Sequence, residues 1–398
     1  MTTQRRILMI PGPVEISPAV ASAYAGPPEG HLAPDLIEAF GASLEMMRRI
    51  WLAPPGAQPF LFAGSGTNAM EMAVANLIEP ADAVIVVNTG YFSDRMVEML
   101  RRAGAEIVEL TAVPGEVPNA SRAEGAIADL KRAGKRVKAL FATHVDTSTG
   151  ALCDPKPLAA IAQAEGVLSV FDGVCATAGE RFEMEAWGAD VYLTASQKAI
   201  GLPPGLALMV VSERALAARD ARKTPPPLAA DWRSWIPVMQ AYEARTPAYF
   251  ATPPTNLVLA LRAGLAEILN QGMEACFTRH ERGAAALRAA WSALGLRAVP
   301  ARERNAAHTL SALYFPSGLD ATLVLRIAER GVYVAGGLHP AIRGQYFRVG
   351  HMGYVLTRAD MLMRTVEAIG AALTASGHAV DTERAVRAML AELQTAAI

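Results

Sequence analysis

The stretch from about Ser65 to Val211 alternates between helical segments and short apolar runs, and this alternation restricts the fold more than any other feature of the chain. Helical periodicity covers residues 67–77, 92–102, 121–133 and 156–164. Between and after these segments come the runs AVIVVN, AEIVEL, VKALFATH, LSVFDGV, VYLTASQ and LALMVV. Strands that are apolar on both faces and separated by helices are typical of a mostly parallel sheet sandwiched by helices. The sequence therefore predicts an α/β fold, in which ligands bind beyond the carboxyl ends of the strands.

The pattern changes near Pro253. Long alanine- and leucine-rich helical stretches follow, interrupted by the strand candidates HTLSALYF, GVYVAG and QYFRVG. This pattern predicts a second, smaller α+β unit. We place the boundary in the proline-containing stretch 246–255, which gives a large domain over residues 1–255 and a small one over 256–398, joined by a long helix.

Composition excludes several classes of protein. Apolar residues make up 52% of the chain and charged residues 19%, which excludes extended disorder. A formal net charge of −1 argues against binding to nucleic acid or an anionic membrane, and the longest uncharged apolar run is too short to span a bilayer. The histidines lack the spacing of a helical metal-binding pair, so we expect no metal. The cysteines are odd in number and widely spaced, which favours a reducing cytoplasm: Cys153, Cys175 and Cys276.

Two candidate sites lie in the predicted sheet. In FAGSGT, small residues precede an apolar helix, whose free N–H groups and positive dipole end suit a phosphate. The alternative is an ordinary turn in which Ser65 or Thr67 is the N-cap. Asp172 ends the apolar run LSVFD, where a carboxylate must either face a cation or cap a turn with Gly173.

Two cationic residues complete the set. Lys198 follows an apolar strand and precedes a glycine- and proline-rich turn, and a desolvated lysine becomes an amine nucleophile. The alternative is a lysine that extends to solvent. Arg348 lies inside the apolar strand of QYFRVG, where it either binds a carboxylate through its planar fork or lies on an edge-strand surface. A phosphate site, a carboxylate, an amine and a carboxylate-binding arginine together match the requirements of pyridoxal 5′-phosphate.

From PGP at Pro11 to RVGHMG at Arg348 the chain resembles the class V aminotransferases of the alanine/serine–glyoxylate group, which are fold type I pyridoxal phosphate enzymes. The resemblance implies that Lys198 forms a Schiff base with the cofactor and then acts as the catalytic base, and that Arg348 binds the substrate carboxylate. It implies cofactor contacts from ten further residues with separate roles. Ser65, Gly66 and Thr67 would hold the phosphate, Phe92 would stack on the ring, and Ser148 would help hold the cofactor near its ring oxygen. Asp172 would pair with the ring nitrogen, Val174 would pack on the other ring face, and Gln197 would assist Lys198. The last two, Tyr249 and Thr252, would reach the phosphate of the neighbouring subunit.

This resemblance implies a homodimer with sites at the subunit interface, and a ping-pong transfer of the amino group of alanine or serine to glyoxylate or pyruvate. Two alternatives use the same cofactor: a ureidoglycine–glyoxylate aminotransferase, or a lyase. A third is a non-catalytic dimeric scaffold. A cysteine desulfurase is disfavoured, because Gln197 occupies a position where that branch has a histidine and Cys276 lies in a predicted helix. We expect a structural role for His144, whereas His351 in RVGHMG is a candidate for the wall of the substrate pocket.

Overall fold

The computed structural model describes residues 6–395, which form fourteen strands and fourteen α-helices within that range. The strands are β1 (Ile7–Leu8), β2 (Gln58–Ala63), β3 (Ala83–Asn88), β4 (Glu106–Thr111), β5 (Val137–Thr143), β6 (Val145–Asp146), β7 (Ala151–Leu152), β8 (Leu168–Asp172), β9 (Val191–Ala195), β10 (Leu206–Val211), β11 (Leu310–Tyr314), β12 (Val332–Tyr333), β13 (Ala335–Gly336) and β14 (Tyr346–Gly350). The helices are α1 (Pro18–Tyr24), α2 (Pro34–Ile50), α3 (Gly66–Leu77), α4 (Tyr91–Arg102), α5 (Ala120–Arg132), α6 (Pro155–Ala164), α7 (Met184–Trp187), α8 (Glu213–Asp220), α9 (Trp232–Glu243), α10 (Thr255–Gln271), α11 (Met273–Ala293), α12 (Thr322–Glu329), α13 (Ala359–Ala375) and α14 (Thr382–Thr395).

A seven-stranded sheet in the order β2-β10-β9-β8-β5-β3-β4 forms the centre of the molecule. Six strands run parallel to one another, and β10 is antiparallel to both of its neighbours. Every residue of β3, β8, β9 and β10 is buried, which is why these runs are apolar on both faces. The predicted α/β fold with a mostly parallel sheet is confirmed.

The parallel strands bring five chain segments to one edge of the sheet. The carboxyl ends of β2 and β3 lead into α3 and α4, while β5, β8 and β9 lead into irregular loops. Within the sheet Thr143 pairs with Asp172, and Asp172 pairs with Leu193 of β9. This edge is where a parallel sheet binds its ligands.

The smaller unit contains the antiparallel sheet β11-β14-β13 and a separate apolar core. The helices α11, α13 and α14 supply much of that core. The beginning of the chain joins it, because β1 pairs in parallel with β12 and the side chains of Ile7 and Met9 are part of its core. The division into residues 1–255 and 256–398 stays a prediction, with the qualification that residues 7–9 pack with the smaller unit.

Within residues 6–395, no helix is both long enough and apolar enough to cross a membrane.

Candidate active site

A cavity of about 180 Å³ lies at the carboxyl edge of the central sheet. Eight residues that the sequence analysis selected line it: Ser65, Gly66, Thr67, Phe92, Asp172, Val174, Gln197 and Lys198. Five further lining residues were not selected: Met70, Arg95, Val145, Thr147 and Cys175. The fold thus brings together side chains that are separated by more than a hundred positions in the sequence.

The first turn of α3 forms one wall of the cavity. Ser65 is the N-cap. Its backbone N–H and its hydroxyl donate hydrogen bonds to the side-chain oxygen of Asn68 at 2.9 and 2.8 Å. A Cβ added to Gly66 would lie 2.6 Å from Val174 Cγ2, so only glycine permits this close approach. Because the first N–H groups of a helix have no partner within the helix, this wall presents donors and a positive dipole end. The turn is therefore both an N-cap and a suitable phosphate site.

Arg95 connects the two helices that border the cavity. Its guanidinium donates a hydrogen bond to Thr67 Oγ1 at 2.7 Å and lies 5.2 Å from the ring centroids of both Tyr91 and Phe92. This contact fixes the Thr67 hydroxyl and the Phe92 ring relative to each other. The sequence signal that could have identified Arg95 is its spacing from Phe92 along α4, since residues three apart share a helix face.

Asp172 lies at the end of β8 with 2% of its surface exposed. Its Oδ1 accepts a hydrogen bond from the backbone N–H of Val174 at 2.9 Å. Burial, together with the neighbouring carboxylate of Asp146, raises the pKa of this carboxyl to about 6, while the Val174 N–H, Lys198 and Arg95 act in the opposite direction. A buried carboxylate of this kind is stabilised by a cation placed against it.

Lys198 follows β9 and reaches into the cavity from the opposite side. Its amine donates a hydrogen bond to the carbonyl oxygen of Pro11. Burial lowers the pKa of Lys198, and the charge of Arg348 lowers it further, while Cys175 and Asp172 raise it. Such an environment favours the neutral amine, which is the nucleophilic form.

Gln197, beside the lysine, has a side-chain oxygen that is buried and has no hydrogen-bond partner among residues 6–395. A buried polar atom without a partner is costly, and native structures contain few of them. Because this atom belongs to a residue that lines the cavity, a donor group of a bound ligand would satisfy it.

A buried carboxylate that sequence reasoning missed fixes the start of α4. Asp146 accepts hydrogen bonds from the backbone N–H groups of Phe92 at 3.2 Å and Ser148 at 2.9 Å, and from the Ser148 hydroxyl. The Ser148 hydroxyl in turn accepts from the N–H of Tyr91 at 3.1 Å. Ser148 therefore faces this network, and its neighbour Thr147 forms the cavity wall. An aspartate two residues before a serine, just past a strand, is the signal that could have revealed the turn.

Arg348 lies in β14 and approaches the same edge from the smaller unit. It donates hydrogen bonds to the carbonyl oxygens of Gly336 at 2.8 Å and Thr147 at 3.0 Å, and burial lowers its pKa. The contact with Thr147 places the guanidinium next to the cavity wall. The partly buried position excludes the alternative of a surface arginine.

The remaining two predicted cofactor contacts lie on the surface of the chain. Tyr249 is 62% exposed, and its hydroxyl is 3.4 Å from that of Thr252. Thr252 borders a separate, largely apolar groove of about 570 Å³, to which Phe62 and Trp235 contribute. Both residues therefore lie outside the lysine cavity of their own subunit.

His144 and His351 are both buried. His144 Nδ1 is 2.8 Å from the Tyr192 hydroxyl, and His351 Nε2 is 2.9 Å from Ser311 Oγ. Burial lowers the pKa of each histidine to about 3, so both are neutral near pH 7. His351 is hydrogen-bonded to β11 through Ser311 and is not among the residues that line the lysine cavity. Cys276 is likewise buried, within α11.

The site residues fit pyridoxal phosphate on grounds independent of any relative. The first turn of α3 presents N–H donors and a positive dipole end to an anion, Asp172 is a desolvated carboxylate suited to a ring cation, and the Gln197 oxygen lacks a partner among residues 6–395. Together with the fold, these features define an enzyme site for a phosphorylated, nitrogen-containing cofactor that bonds to an amine.

Comparison with known proteins identifies the family. The family model "Aminotransferase class-V" matches residues 39–365. The chain is 36% identical to alanine–glyoxylate aminotransferase 1 of Saccharomyces cerevisiae, with 89% of this chain and 93% of that protein aligned. It is 33% identical to L-aspartate–glyoxylate aminotransferase of Paracoccus denitrificans, over 89% and 87% of the two chains. The crystal structure of ureidoglycine–glyoxylate aminotransferase from Bacillus subtilis matches with a TM-score of 0.88 and 26% identity over 99% of both chains.

The chain belongs to the class V aminotransferases. Membership of this family implies pyridoxal 5′-phosphate as the cofactor. The resemblance noted in the sequence is confirmed, and so is the expectation of an aminotransferase fold.

The buried charge of Asp172 should destabilise the cofactor-free protein, although the same charge serves cofactor binding. Its pKa is about 6 in the folded protein, against an ordinary value of 3.8. The folded state therefore binds the proton more tightly, and stability decreases as pH rises through this interval. In the cofactor-free protein, Asp172→Asn should increase the free energy of unfolding at pH 8 by up to about 3 kcal/mol.

Urea denaturation of the wild type and the variant at pH 8 and at pH 4 measures this effect. At pH 4 the increase should be small, because the Asp172 side chain of the folded protein is then as neutral as asparagine. Asp154→Asn, at the exposed N-cap of α6, is the matched control and should change stability little at either pH, since asparagine caps helices as well as aspartate does. A less stable Asp172→Asn protein at pH 8 would contradict the desolvation argument.

Proposed function

We propose that this chain transfers the amino group of a small amino acid, alanine or serine, to glyoxylate or pyruvate by a ping-pong mechanism. The observation that carries the proposal is the convergence of a low-pKa lysine and a buried aspartate on one cavity, with Arg348 next to its wall. The activities of the yeast and Paracoccus relatives support glyoxylate as an acceptor.

In this proposal the cofactor is held by the residues that line the cavity. Ser65, Gly66 and Thr67 bind its phosphate at the start of α3, where the helix dipole favours an anion. Phe92 and Val174 pack on the two faces of the ring. Gln197 binds through its side chain, Asp172 pairs with the ring nitrogen, and Ser148 acts through the Asp146 network near the ring oxygen. The bound cofactor supplies an electron-accepting ring that acidifies the substrate α-carbon.

Lys198 has two roles in the proposed cycle. Its amine would hold the cofactor at the aldehyde carbon, with release of water. When free, the same amine would accept the proton from the substrate α-carbon and deliver it to the cofactor side. Burial lowers the pKa of Lys198, which shifts the amine toward the neutral form that can accept that proton.

Arg348 is the proposed partner of the substrate carboxylate. Its guanidinium retains donors beyond the two that contact backbone carbonyl oxygens, and its planar fork matches a carboxylate. Arg95, which lines the cavity, is hydrogen-bonded to Thr67 and lies over the Phe92 ring. With Arg348 as the one available guanidinium at this site among residues 6–395, a donor with a single carboxylate is favoured over a dicarboxylic one such as aspartate.

We further propose a homodimer in which Tyr249 and Thr252 complete the phosphate site of the partner subunit. Two exposed hydroxyls 3.4 Å apart, outside the cavity of their own chain, support this assignment. The apolar groove next to Thr252 is a surface that a second subunit would cover. The three buried, unpaired thiols support a reducing cytoplasm as the location.

The visible absorption spectrum of the cofactor-loaded protein tests the proposed reaction. L-Alanine or L-serine should abolish the band of the lysine-bound cofactor, and glyoxylate should restore it. Lys198→Ala should reduce turnover by at least about 1,000-fold, because it removes both the anchor and the proton carrier. An added primary amine should restore part of that loss.

Lys156→Ala, on the exposed surface of α6, is the control for loss of a lysine. If only ureidoglycine or only aspartate abolishes the band, that compound is the amino donor in place of alanine or serine. Full turnover by Lys198→Ala without added amine would overturn the lysine assignment, and a protein that acquires no band would overturn the proposed function.

Substitution of Arg348 separates carboxylate binding from chemistry. Arg348→Lys keeps the charge but loses the planar fork, so kcat/KM for the donor should fall about 10- to 100-fold, mainly through KM. Steady-state kinetics with L-alanine measure this effect. Arg343→Lys, at an exposed position of the same unit, should have no effect. An unchanged KM in Arg348→Lys would show that another group binds the carboxylate.

Mixed dimers test whether two subunits share a site. Lys198→Ala subunits and Tyr249→Ala/Thr252→Ala subunits should each be nearly inactive, but unfolding and refolding them together should restore about a quarter of wild-type activity, because half of the dimers then contain one intact site. A mixture of Lys198→Ala and Asp172→Asn subunits is the control. It should restore nothing, since both residues line the same cavity of one chain. No recovery in the first mixture would contradict the shared site.

A further inference from the structure

The segment Met9–Gly12 lies directly against the catalytic lysine. The carbonyl oxygen of Pro11 accepts a hydrogen bond from the Lys198 amine. A Cβ added to Gly12 would lie 2.6 Å from Lys198 Cδ and 2.7 Å from its Nζ. Gly12 also has a φ of +97°, which L side chains rarely adopt. Glycine at position 12 therefore leaves room for the lysine side chain.

The same segment is bound to the strand that carries Arg348. The N–H of Met9 donates to the carbonyl oxygen of Tyr333 at 2.8 Å, and its own carbonyl oxygen accepts from Gly350 at 2.7 Å. A side chain at Gly350, two residues after Arg348, would collide with the carbonyl oxygen of Ile10. Close backbone contact thus fixes Pro11 relative to β14, although the two are far apart in sequence.

We propose that the Pro11 carbonyl is the acceptor that holds the Lys198 amine whenever the lysine is free, and that Gly12 is the positioning residue that makes room for it. This inference rests on the proposed function, in which Lys198 alternates between a bound and a free state. A free lysine has four rotatable side-chain bonds, and fixing one N–H at a carbonyl confines it to few rotamers. The restricted amine is then already placed for proton transfer.

The chemical type of the acceptor also matters. A carboxylate beside the amine would favour the ammonium form, which cannot remove a proton. A neutral carbonyl satisfies a buried N–H and leaves the nitrogen lone pair available. Asp172 is directed to the N–H of Val174, and Pro11 supplies the neutral acceptor.

Gly12→Ala tests the proposal, because its Cβ would displace the lysine from the carbonyl. The rate at which L-alanine abolishes the visible band should fall about 100-fold, the penalty typical of a misplaced catalytic group. The KM for the donor should not change, since Arg348 is untouched. The rate at which cofactor-free protein forms a borohydride-reducible bond between Lys198 and added pyridoxal phosphate should fall as well.

Gly166→Ala is the matched control. Gly166 also has a positive φ, +70°, but a Cβ there would meet no atom within 4 Å, so it strains the backbone without touching the lysine. Its rates should equal those of the wild type. Equal rates for Gly12→Ala would overturn the proposal, and so would a rise in donor KM without a change in the rate of band loss.

A crystal structure of the wild type with pyridoxamine 5′-phosphate keeps the proposal testable if Gly12→Ala does not fold. This amino form of the cofactor leaves the lysine free. Nζ of Lys198 should lie within hydrogen-bonding distance of the Pro11 carbonyl oxygen, and an amine directed elsewhere would refute the proposal. A wild type that binds neither cofactor form overturns the proposed function and this inference together, whereas a functional wild type with a redirected amine overturns this inference alone.

Discussion

The removal of charged groups from water at one edge of the central sheet is the constraint on which the rest of the site depends. An isolated buried carboxylate or ammonium is unstable, so each must be neutralised, paired or hydrogen-bonded. In this protein burial raises the pKa of Asp172 and lowers that of Lys198, and each shift favours the neutral form of the group. A ligand that carries complementary charges would offset this cost of burial.

Backbone-level contacts then set the shape of this site. Glycine at position 66 allows the start of α3 to approach Val174, and glycine at position 350 allows β14 to contact the N-terminal segment. The buried Asp146 fixes the start of α4 through backbone N–H groups. These contacts hold rigid elements in register, which is what catalysis by preorganised groups requires.

Much of this arrangement could be predicted from the sequence. The six apolar runs of the large unit became strands, and both Asp172 and Lys198 lie where a strand end predicts a ligand site. The reversed direction of β10 could not be predicted, because a buried strand is apolar on both faces whichever way it runs. The hydrogen bonds of Ser148 and Arg95 could not be predicted either, because they depend on how two loops and a helix meet in space. The assignments of individual residues to the cofactor stay predictions.

The reversal of β10 has a mechanical consequence for the lysine. Parallel neighbours require a long crossover, whereas an antiparallel strand can return through a short connection. Residues 196–205 therefore join β9 to β10 without a helix, and both ends are fastened, since the N–H of Ser196 donates to the carbonyl oxygen of Leu206 and that of Leu202 to Ser196. Lys198 thus stands on a short loop clamped between two buried strands. The main chain at Lys198 is held from both ends of the loop, and movement of its amine during a reaction would be left to side-chain rotation.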